Sequence, residues 1–187
     1  MLQLGDLTAQ APTALAILRE KVEDLFAQFH LPVFRYVMCK TRNSGKAEDI
    51  TQESFLRLFC HLRDQRPIEN PKAWLFAVAH NLSVDSMRGE SQFKSLEDAA
   101  WEQLEGSRSV VNHDYERTVL ESERRELLRK AVAGLTPLQR ECLHLRSEGL
   151  RLREIADLLN ISISTVADAA RRASVKLARQ FSTEVSQ

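Results

Sequence analysis

The sequence predicts an all-α protein made of two small helical domains joined by an acidic linker. Three observations favour this fold class. The 187 residues are 43% hydrophobic and 28% charged, which is typical of a globular chain. Only six Gly and five Pro occur, too few for the many tight turns of an all-β protein. Apolar residues recur at three- and four-residue steps along most of the chain, as they do on amphipathic helices.

The distribution of charge predicts where the domains divide. Residues 1–90 carry 11 basic and 11 acidic side chains, residues 91–128 carry 5 and 9, and residues 129–187 carry 10 and 6. Gly and Ser punctuate residues 89–112, where no apolar period is sustained. We therefore predict domains at 13–90 and 115–187 and a flexible acidic linker at 91–114. A basic C-terminal domain is typical of nucleic-acid binding.

The first predicted element is a helical hairpin or one long helix over residues 13–40. Pro32 lies inside it and predicts a bend or a second helix start, because proline lacks the N–H that an interior helical position needs. The segment Arg42–Lys46 is predicted to be a loop. The apolar stripe of this element consists of Leu15, Leu18, Val22, Leu25, Phe26 and Phe29.

Two further helices complete the predicted N-terminal domain. One runs from about Ala47 to Leu62, and the next runs from Lys72 to about Arg88. Between them, Asn70 is expected to cap the second helix, with Pro71 at its first position. Trp74 could stack on a nucleic-acid base, but its apolar spacing favours a core position. The predicted buried faces are Ala47, Ile50, Phe55, Leu58, Phe59 and Leu62 in one helix and Trp74, Leu75, Val78 and Leu82 in the other.

The C-terminal domain is predicted to contain a helix-turn-helix. A helix beginning near Tyr115 should stop at Gly134 and Pro137, and another should run from Leu138 to about Glu148. A short helix, a three-residue turn and a longer helix that ends near Phe181 follow, with Ser162 as the cap of the last one. A three-helix bundle without a DNA role would show the same helical spacing. The predicted apolar positions are Val119, Leu127, Leu128, Ala131, Val132 and Leu135, then Ile155, Ala156 and Leu159, then Val166, Ala170, Ala173 and Leu177.

The sequence offers no catalytic, cofactor or metal motif. It contains no Gly-rich phosphate loop, no GxSxG and no HExxH. Cys39, Cys60 and Cys142 form no CxxC pair and are expected to be reduced thiols. No apolar run is long enough for a transmembrane span, and the N-terminus lacks a secretory signal pattern. We therefore expect a cytoplasmic protein that is not an enzyme, binds no cofactor or metal and does not insert into membranes.

Three segments together resemble the extracytoplasmic-function group of bacterial sigma factors. They are KAEDITQESFLRLF, NPKAWLFAVAHNLSVDSMR and LTPLQRECLHLRSEGLRLREIADLLNISISTV. The resemblance covers about residues 22–88 and 128–181. It implies an N-terminal domain like sigma region 2, which binds core RNA polymerase and opens the −10 promoter element. It also implies a C-terminal domain like sigma region 4, which binds the −35 element. The implied partners are the β and β′ subunits of the polymerase core, promoter DNA and an anti-sigma factor.

The resemblance also assigns site residues by position. The implied core-docking face is Asp49, Gln52, Glu53 and Arg57. The implied contacts to the −10 element are Arg63, Arg66, Asn70, Lys72, His80, Asn81 and Arg88, of which residues 63–70 resemble a loop that captures a flipped base. The implied contacts to the −35 element are Ser164, Thr165, Asp168, Arg171, Arg172 and Lys176.

Two departures from the family pattern concern the DNA-facing residues. His80 stands where the family commonly has Arg, so one cation would be lost near neutral pH. Ala167, Asp168 and Ala169 stand where the family commonly has a basic residue, Ser and Arg. Asp168 could accept a hydrogen bond from cytosine, or it could only repel phosphate. Two rival functions remain open: a helix-turn-helix regulator of duplex operators, and a sigma-like module that binds only proteins.

Overall fold

The computed structural model describes residues 7–90, residue 126 and residues 128–184. The chain divides into two compact units, Met1–Ala100 and Trp101–Gln187. Helix is the only repetitive secondary structure in the described part, which confirms the all-α prediction. The division at residue 100 falls inside the predicted linker. That linker lies outside the described residues, as do the predicted apolar positions Val119 and Leu127.

Helix α1 (Leu7–Thr41) is one continuous helix of 35 residues. The prediction of one long helix is therefore confirmed, and the alternative of a second start at Pro32 is wrong. Pro32 leaves one main-chain carbonyl without its usual partner, which is unfavourable inside a helix. Apolar packing continues on both sides of it, because Phe29 is half-buried and Val33 and Tyr36 are buried on the same stripe. That packing holds the helix together across the proline.

Helix α2 (Ser44–Arg63) begins three residues before the predicted start. Asn43 caps it, since its side-chain oxygen accepts a hydrogen bond from the Lys46 N–H at 3.0 Å. The predicted loop over Arg42–Lys46 therefore shrinks to two residues. Thr51 and Ser54 are buried although they are polar. Their hydroxyls donate to main-chain carbonyls one turn earlier, at 2.6 and 2.7 Å, which satisfies them inside the core. The predicted core residues Phe59 and Leu62 are only half-buried.

Helix α3 (Pro71–Glu90) buries a face that overlaps the predicted one only at Leu75. The predicted cap is confirmed, because the side-chain oxygen of Asn70 accepts from the Ala73 N–H at 3.3 Å. Trp74, Val78 and Leu82 are only half-buried. The fully buried residues of α3 are Leu75, Phe76, Ala79 and Ser83. The buried face is thus turned by about 100°, the rotation of one residue in an α-helix. The ring of Phe76 packs against that of Tyr36, with centroids 5.4 Å apart.

The second unit contains α4 (residues 128–133), α5 (Pro137–Ser147), α6 (Leu152–Leu159) and α7 (Ile163–Glu184). These bounds confirm the predicted helix-turn-helix arrangement. Thr136 and Gln139 form a reciprocal capping box at the start of α5, with hydrogen bonds of 3.3 and 3.1 Å. The Ser162 cap is also confirmed, because its hydroxyl accepts from the Thr165 N–H at 3.1 Å.

Small side chains let the helices of this unit approach one another. Ala156 is buried on α6, and Ala169 and Ala173 are buried on α7. The predicted inner positions Ala170 and Leu177 are half-buried, while Leu128 is exposed. Among the described residues of this unit, the hydrophobic core consists of Ala131, Leu135, Cys142, Leu145, Leu150, Ile155, Ala156, Leu158, Val166, Ala169 and Ala173. Because this core packs against the inner face of α7, the outer face of α7 is exposed to solvent.

Candidate functional site

The exposed face of α2 carries three of the four residues predicted to dock on a partner. Asp49, Gln52 and Arg57 are exposed, and Glu53 is half-buried. The Nε atom of Arg57 lies 2.7 Å from a carboxylate oxygen of Glu53, one turn earlier. Because residues four apart lie on one side of a helix, this ion pair forms one edge of the face. Asp49 lies near the middle of the face, opposite the buried stripe, and Gln52 lies toward the other edge.

Leu56 lies at the centre of this polar face and was not among the predicted site residues. Its side chain is 58% exposed. It stands nine residues from Ala47, which is completely buried, and nine residues correspond to about half a helical rotation. The sequence signal was an apolar residue out of phase with the buried stripe of α2. Burial of this side chain against a partner would remove its apolar surface from water.

The loop between α2 and α3 presents exposed basic side chains. Gln65 has a φ of 57°, a left-handed conformation that turns the chain sharply after α2. Arg66 is exposed, and its N–H donates to the carbonyl oxygen of His61 at 3.2 Å. The guanidinium of Arg63 contacts one carboxylate oxygen of Asp64, with its Nε and Nη2 atoms at 3.2 and 3.1 Å. The structure thus holds the loop backbone by main-chain bonds and displays Arg66 to solvent.

Only two of the predicted contacts on α3 lie on one exposed face. Asn81 and Arg88, seven residues apart, are both exposed on the same side of the helix. Asp85 lies between them, with a carboxylate oxygen 3.9 Å from an Arg88 guanidinium nitrogen. Lys72 is nine residues from Asn81 and therefore points to the opposite side. Its Nζ atom lies 5.5 Å from the ring centroid of Phe29 on α1.

His80 also turns away from the face that Asn81 and Arg88 share. Its Nδ1 atom lies 2.8 Å from the hydroxyl of Tyr36 and 3.3 Å from the Nζ atom of Lys40. Lys40 lies over the Tyr36 ring as well, 5.6 Å from its centroid. The structure therefore places His80 in a contact with α1. The positive charge at this position comes from the ammonium group of Lys40 beside the His80 ring.

The exposed face of α7 carries most of the residues predicted to contact the −35 element. Ser164, Asp168, Arg171 and Arg172 all project from the solvent side. A carboxylate oxygen of Asp168 lies 3.5 Å from a guanidinium nitrogen of Arg171, three residues later. Val175, 40% exposed, continues this face and was not predicted. A phosphate or base edge that approached the face would meet the Asp168–Arg171 pair near its middle.

Two predicted contacts on α7 are engaged within the second unit. The hydroxyl of Thr165 lies 2.8 Å from the Ser162 hydroxyl, beside the helix cap. The Nζ atom of Lys176 donates to the carbonyl oxygen of Gly134 at 3.3 Å. This bond joins α7 to the end of α4, since Gly134 directly follows the last helical residues there. Lys176 thus contributes to the packing of the unit.

The described part of the chain offers no alternative metal or thiol site. Within it, no three His, Cys, Asp or Glu side chains are placed to hold a metal ion together. Burial raises the pKa of the Cys142 thiol, and the nearby Glu141 carboxylate adds to that shift. A thiol of this kind is a poor nucleophile at neutral pH. None of the helices in the described ranges is long and apolar enough to cross a bilayer.

Comparison with known proteins places each unit in the same family. The family model for Sigma-70 region 2 matches residues 25–93, and the family model for Sigma-70, region 4 matches residues 125–177. RNA polymerase sigma factor YlaC of Bacillus subtilis is 24% identical over 164 residues, which cover 87% of this chain and 93% of the relative. ECF RNA polymerase sigma factor SigK of Mycobacterium ulcerans is 30% identical over 162 residues, which cover 80% of this chain and 82% of the relative.

A solved structure shares the fold. The sigma factor RpoE from Bartonella quintana, crystallised in complex with the anti-sigma factor NepR, gives a TM-score of 0.60 at 18% identity. The match covers 87% of this chain and 98% of that chain. Region 2 thus corresponds to α1–α3 and region 4 to α4–α7, in the order in which sigma factors carry them. The chain belongs to the extracytoplasmic-function group of the sigma-70 family.

Proposed function

We propose that the protein is an alternative sigma factor that binds core RNA polymerase and directs it to specific promoters. The main support is the order of the two matched regions along one chain, region 2 before region 4. Neither rival function accounts for both regions. A regulator of duplex operators needs only the helix-turn-helix, and a module that binds only proteins needs no exposed arginines on α7. The protein contributes binding energy and acts without catalysis of its own, in the cytoplasm.

The exposed face of α2 docks on the polymerase. Asp49 and Gln52 provide charge and hydrogen-bonding groups, and Leu56 provides an apolar anchor between them. The ion pair of Glu53 and Arg57 borders the contact. A rim of polar groups around one buried apolar side chain is the usual composition of an energetically important contact. The partner surface lies on the β′ subunit, and region 4 adds contacts to the β subunit.

The first unit opens the −10 element by capturing an extruded base. Unstacking costs a few kcal/mol for each base, so the single strand must gain equivalent contacts with the protein. Arg66 in the loop after α2 and Arg88 on α3 contribute cations, and the Asn81 side chain can form hydrogen bonds with a base edge. Lys72 and His80 lie on other sides of α3 and stabilise its packing on α1.

The second unit contacts the −35 element through α7. Arg172 and Ser164 lie on its exposed face, and Thr165 lies at its edge. This helix has few cations for a DNA-reading element. The polymerase compensates, because docking of the first unit raises the effective concentration of α7 at the promoter. An anti-sigma factor is a further proposed partner, supported by the complex in which RpoE was solved.

Transcription in vitro tests this function directly. Core polymerase is mixed with the full-length chain and a set of genomic promoter fragments, and transcript start sites are mapped. We expect specific starts that require both components. A variant with Asp49→Ala and Gln52→Ala should lose those starts and should no longer compete for core. Absence of specific initiation, together with failure to bind core, would contradict the proposal.

A further inference from the structure

Two arginines on the proposed DNA faces have an intrahelical carboxylate partner at the same spacing. On α3, Asp85 precedes Arg88 by three residues, and their charged atoms lie 3.9 Å apart. On α7, Asp168 precedes Arg171 by three residues, and the distance is 3.5 Å. One pair lies in each unit. All four side chains are at least 59% exposed, so the pairs face the solvent that DNA would replace.

Other arginines of the same surfaces lack such a carboxylate partner among the described residues. No described carboxylate forms an ion pair with Arg172, the neighbour of Arg171 on α7, or with Arg66 in the loop after α2. One face of α7 thus carries two neighbouring arginines, of which Arg171 has a carboxylate partner and Arg172 has none among the described residues. Comparing Arg171 with Arg172 therefore distinguishes the effect of a carboxylate partner on DNA binding from the effect of lying on this face of α7.

We propose that Asp85 and Asp168 are specificity-determining residues that keep the free protein off non-promoter DNA by holding Arg88 and Arg171 in ion pairs. This inference rests on the proposed function, because it assumes that both faces meet DNA. A phosphate that approaches either arginine competes with a carboxylate that is already in place. If the pair stays closed, its net charge is near zero and little attraction remains. If the pair opens, the released carboxylate faces the phosphate and repels it.

The counterion balance leads to a measurable consequence. A cation that neutralises a phosphate releases bound salt ions, and each such contact steepens the dependence of log affinity on log salt by roughly 0.9. A closed Asp–Arg pair releases few ions because it brings no net charge to the phosphate. The free protein should therefore bind random duplex DNA weakly and with a shallow salt dependence. At a promoter, the polymerase-bound state adds enough contacts to overcome the same competition.

The experiment measures binding of the full-length protein to random-sequence duplex DNA across a salt series. The double variant Asp85→Asn with Asp168→Asn removes both carboxylate charges while it preserves side-chain shape. The matched control is Glu23→Gln with Glu126→Gln. It removes one carboxylate from an intrahelical arginine pair in each unit, at Arg19 and Arg129, away from the proposed DNA faces. Both double variants raise the net charge by two, so a difference between them is not an effect of net charge.

We expect the Asp variant to bind roughly threefold more tightly for each released arginine, the range in which exposed ion pairs contribute. Its salt slope should steepen by up to about 0.9 per arginine, while the control keeps a slope near that of the parent protein. Arg171→Ala should cost little affinity in the parent and several-fold more in the Asp168→Asn background. Arg172→Ala should cost the same in both backgrounds. A purely structural role for Asp168 would not produce that difference.

Equal affinities and slopes for the two double variants would overturn the inference, as would absence of DNA binding by the Asp variant at the lowest salt. Failure of the proposed function gives a different result. In that case, the parent protein supports no specific transcription with core polymerase, whatever the free protein does with random DNA. If the parent supports promoter-specific transcription and the two double variants behave equally, the proposed function stands and only the role of the aspartates is rejected.

Discussion

The hydroxyl of Tyr36 on α1 lies 2.8 Å from Nδ1 of His80 on α3, where Tyr36 is almost completely buried. Lys40 directs its ammonium group to the same nitrogen at 3.3 Å. Nδ1 of His80 therefore has two polar partners on α1, the Tyr36 hydroxyl and the Lys40 ammonium group. His80 therefore joins two helices of the first unit, at a position where the family commonly presents a cation.

Tyr36→Phe should lower the free energy of unfolding of the first unit by about 1 kcal/mol, the usual net value of a buried hydrogen bond. Urea unfolding of the full chain can be followed by Trp74 fluorescence in a Trp101→Phe background. In a His80→Leu background the same change should cost much less, because the hydrogen-bond partner of Tyr36 is gone. An equal cost in both backgrounds would show that the Tyr36–His80 bond does not contribute.

Leu56→Ala should weaken binding to core polymerase roughly tenfold, since burial of most of a leucine side chain contributes about 1.5 kcal/mol or more. Competition with a labelled sigma factor for core measures this affinity. Met87→Ala is the matched control, because Met87 is an exposed apolar side chain of α3, 45% accessible, away from the α2 face. If Leu56→Ala binds core as tightly as Met87→Ala does, Leu56 is not part of the docking surface.

Asn160 ends α6 with a φ of 53°, in the left-handed region that glycine and asparagine tolerate best. Asn160→Ala should destabilise the helix-turn-helix by about 1 kcal/mol, because a β-carbon is unfavourable there without a compensating polar side chain. Asn160→Gly should change stability by only a few tenths of a kcal/mol. Thermal unfolding of the full chain, followed by circular dichroism, compares the two variants. The opposite order would contradict the assigned turn conformation.

Cys142 should react with iodoacetamide much more slowly than Cys39 and Cys60. It is completely buried and the other two thiols are half-buried. Burial raises the pKa of the Cys142 thiol, so the reactive thiolate is scarce at pH 8 and becomes more abundant as pH rises. The same shift predicts that the free energy of unfolding falls as pH rises above the thiol's ordinary pKa, since the unfolded chain then loses that proton first.

Peptide mapping by mass spectrometry gives the rate for each cysteine in the native protein. The control is the same reaction in concentrated guanidinium chloride, where the three rates should converge. Fast labelling of Cys142 in the native protein would mean that the core of the second unit opens readily.

Local signals in the sequence predicted the helices and the caps at Asn70 and Ser162, although not the cap at Asn43. Asn70 and Ser162 act as caps because their side-chain oxygens reach main-chain N–H groups only three residues away. The buried face of α3 could not be predicted in this way. Its segment AWLFAVA is apolar on almost every side, so periodicity does not distinguish Phe76 and Ala79 from Trp74 and Val78.

For the site residues too, contacts between residues close in sequence could be predicted, and contacts between residues far apart in sequence could not. The faces of α2 and α7 follow from helical spacing, and so does the proximity of Asp168 to Arg171. The placement of His80 depends on Tyr36, 44 residues earlier, and that of Lys176 depends on Gly134, 42 residues earlier. No pattern in the sequence relates those residues, because their contacts arise only when the helices pack.

Permanganate footprinting of promoter DNA tests the central claim most directly, because permanganate reacts with thymines in unpaired DNA. A promoter fragment is probed with core polymerase alone, with the protein alone and with both. We predict reactive thymines around the −10 position only when core and the full-length chain are present together. Footprinting that shows a protected duplex with the protein alone, and no reactive thymines when core is added, would contradict the account and indicate a regulator of duplex DNA.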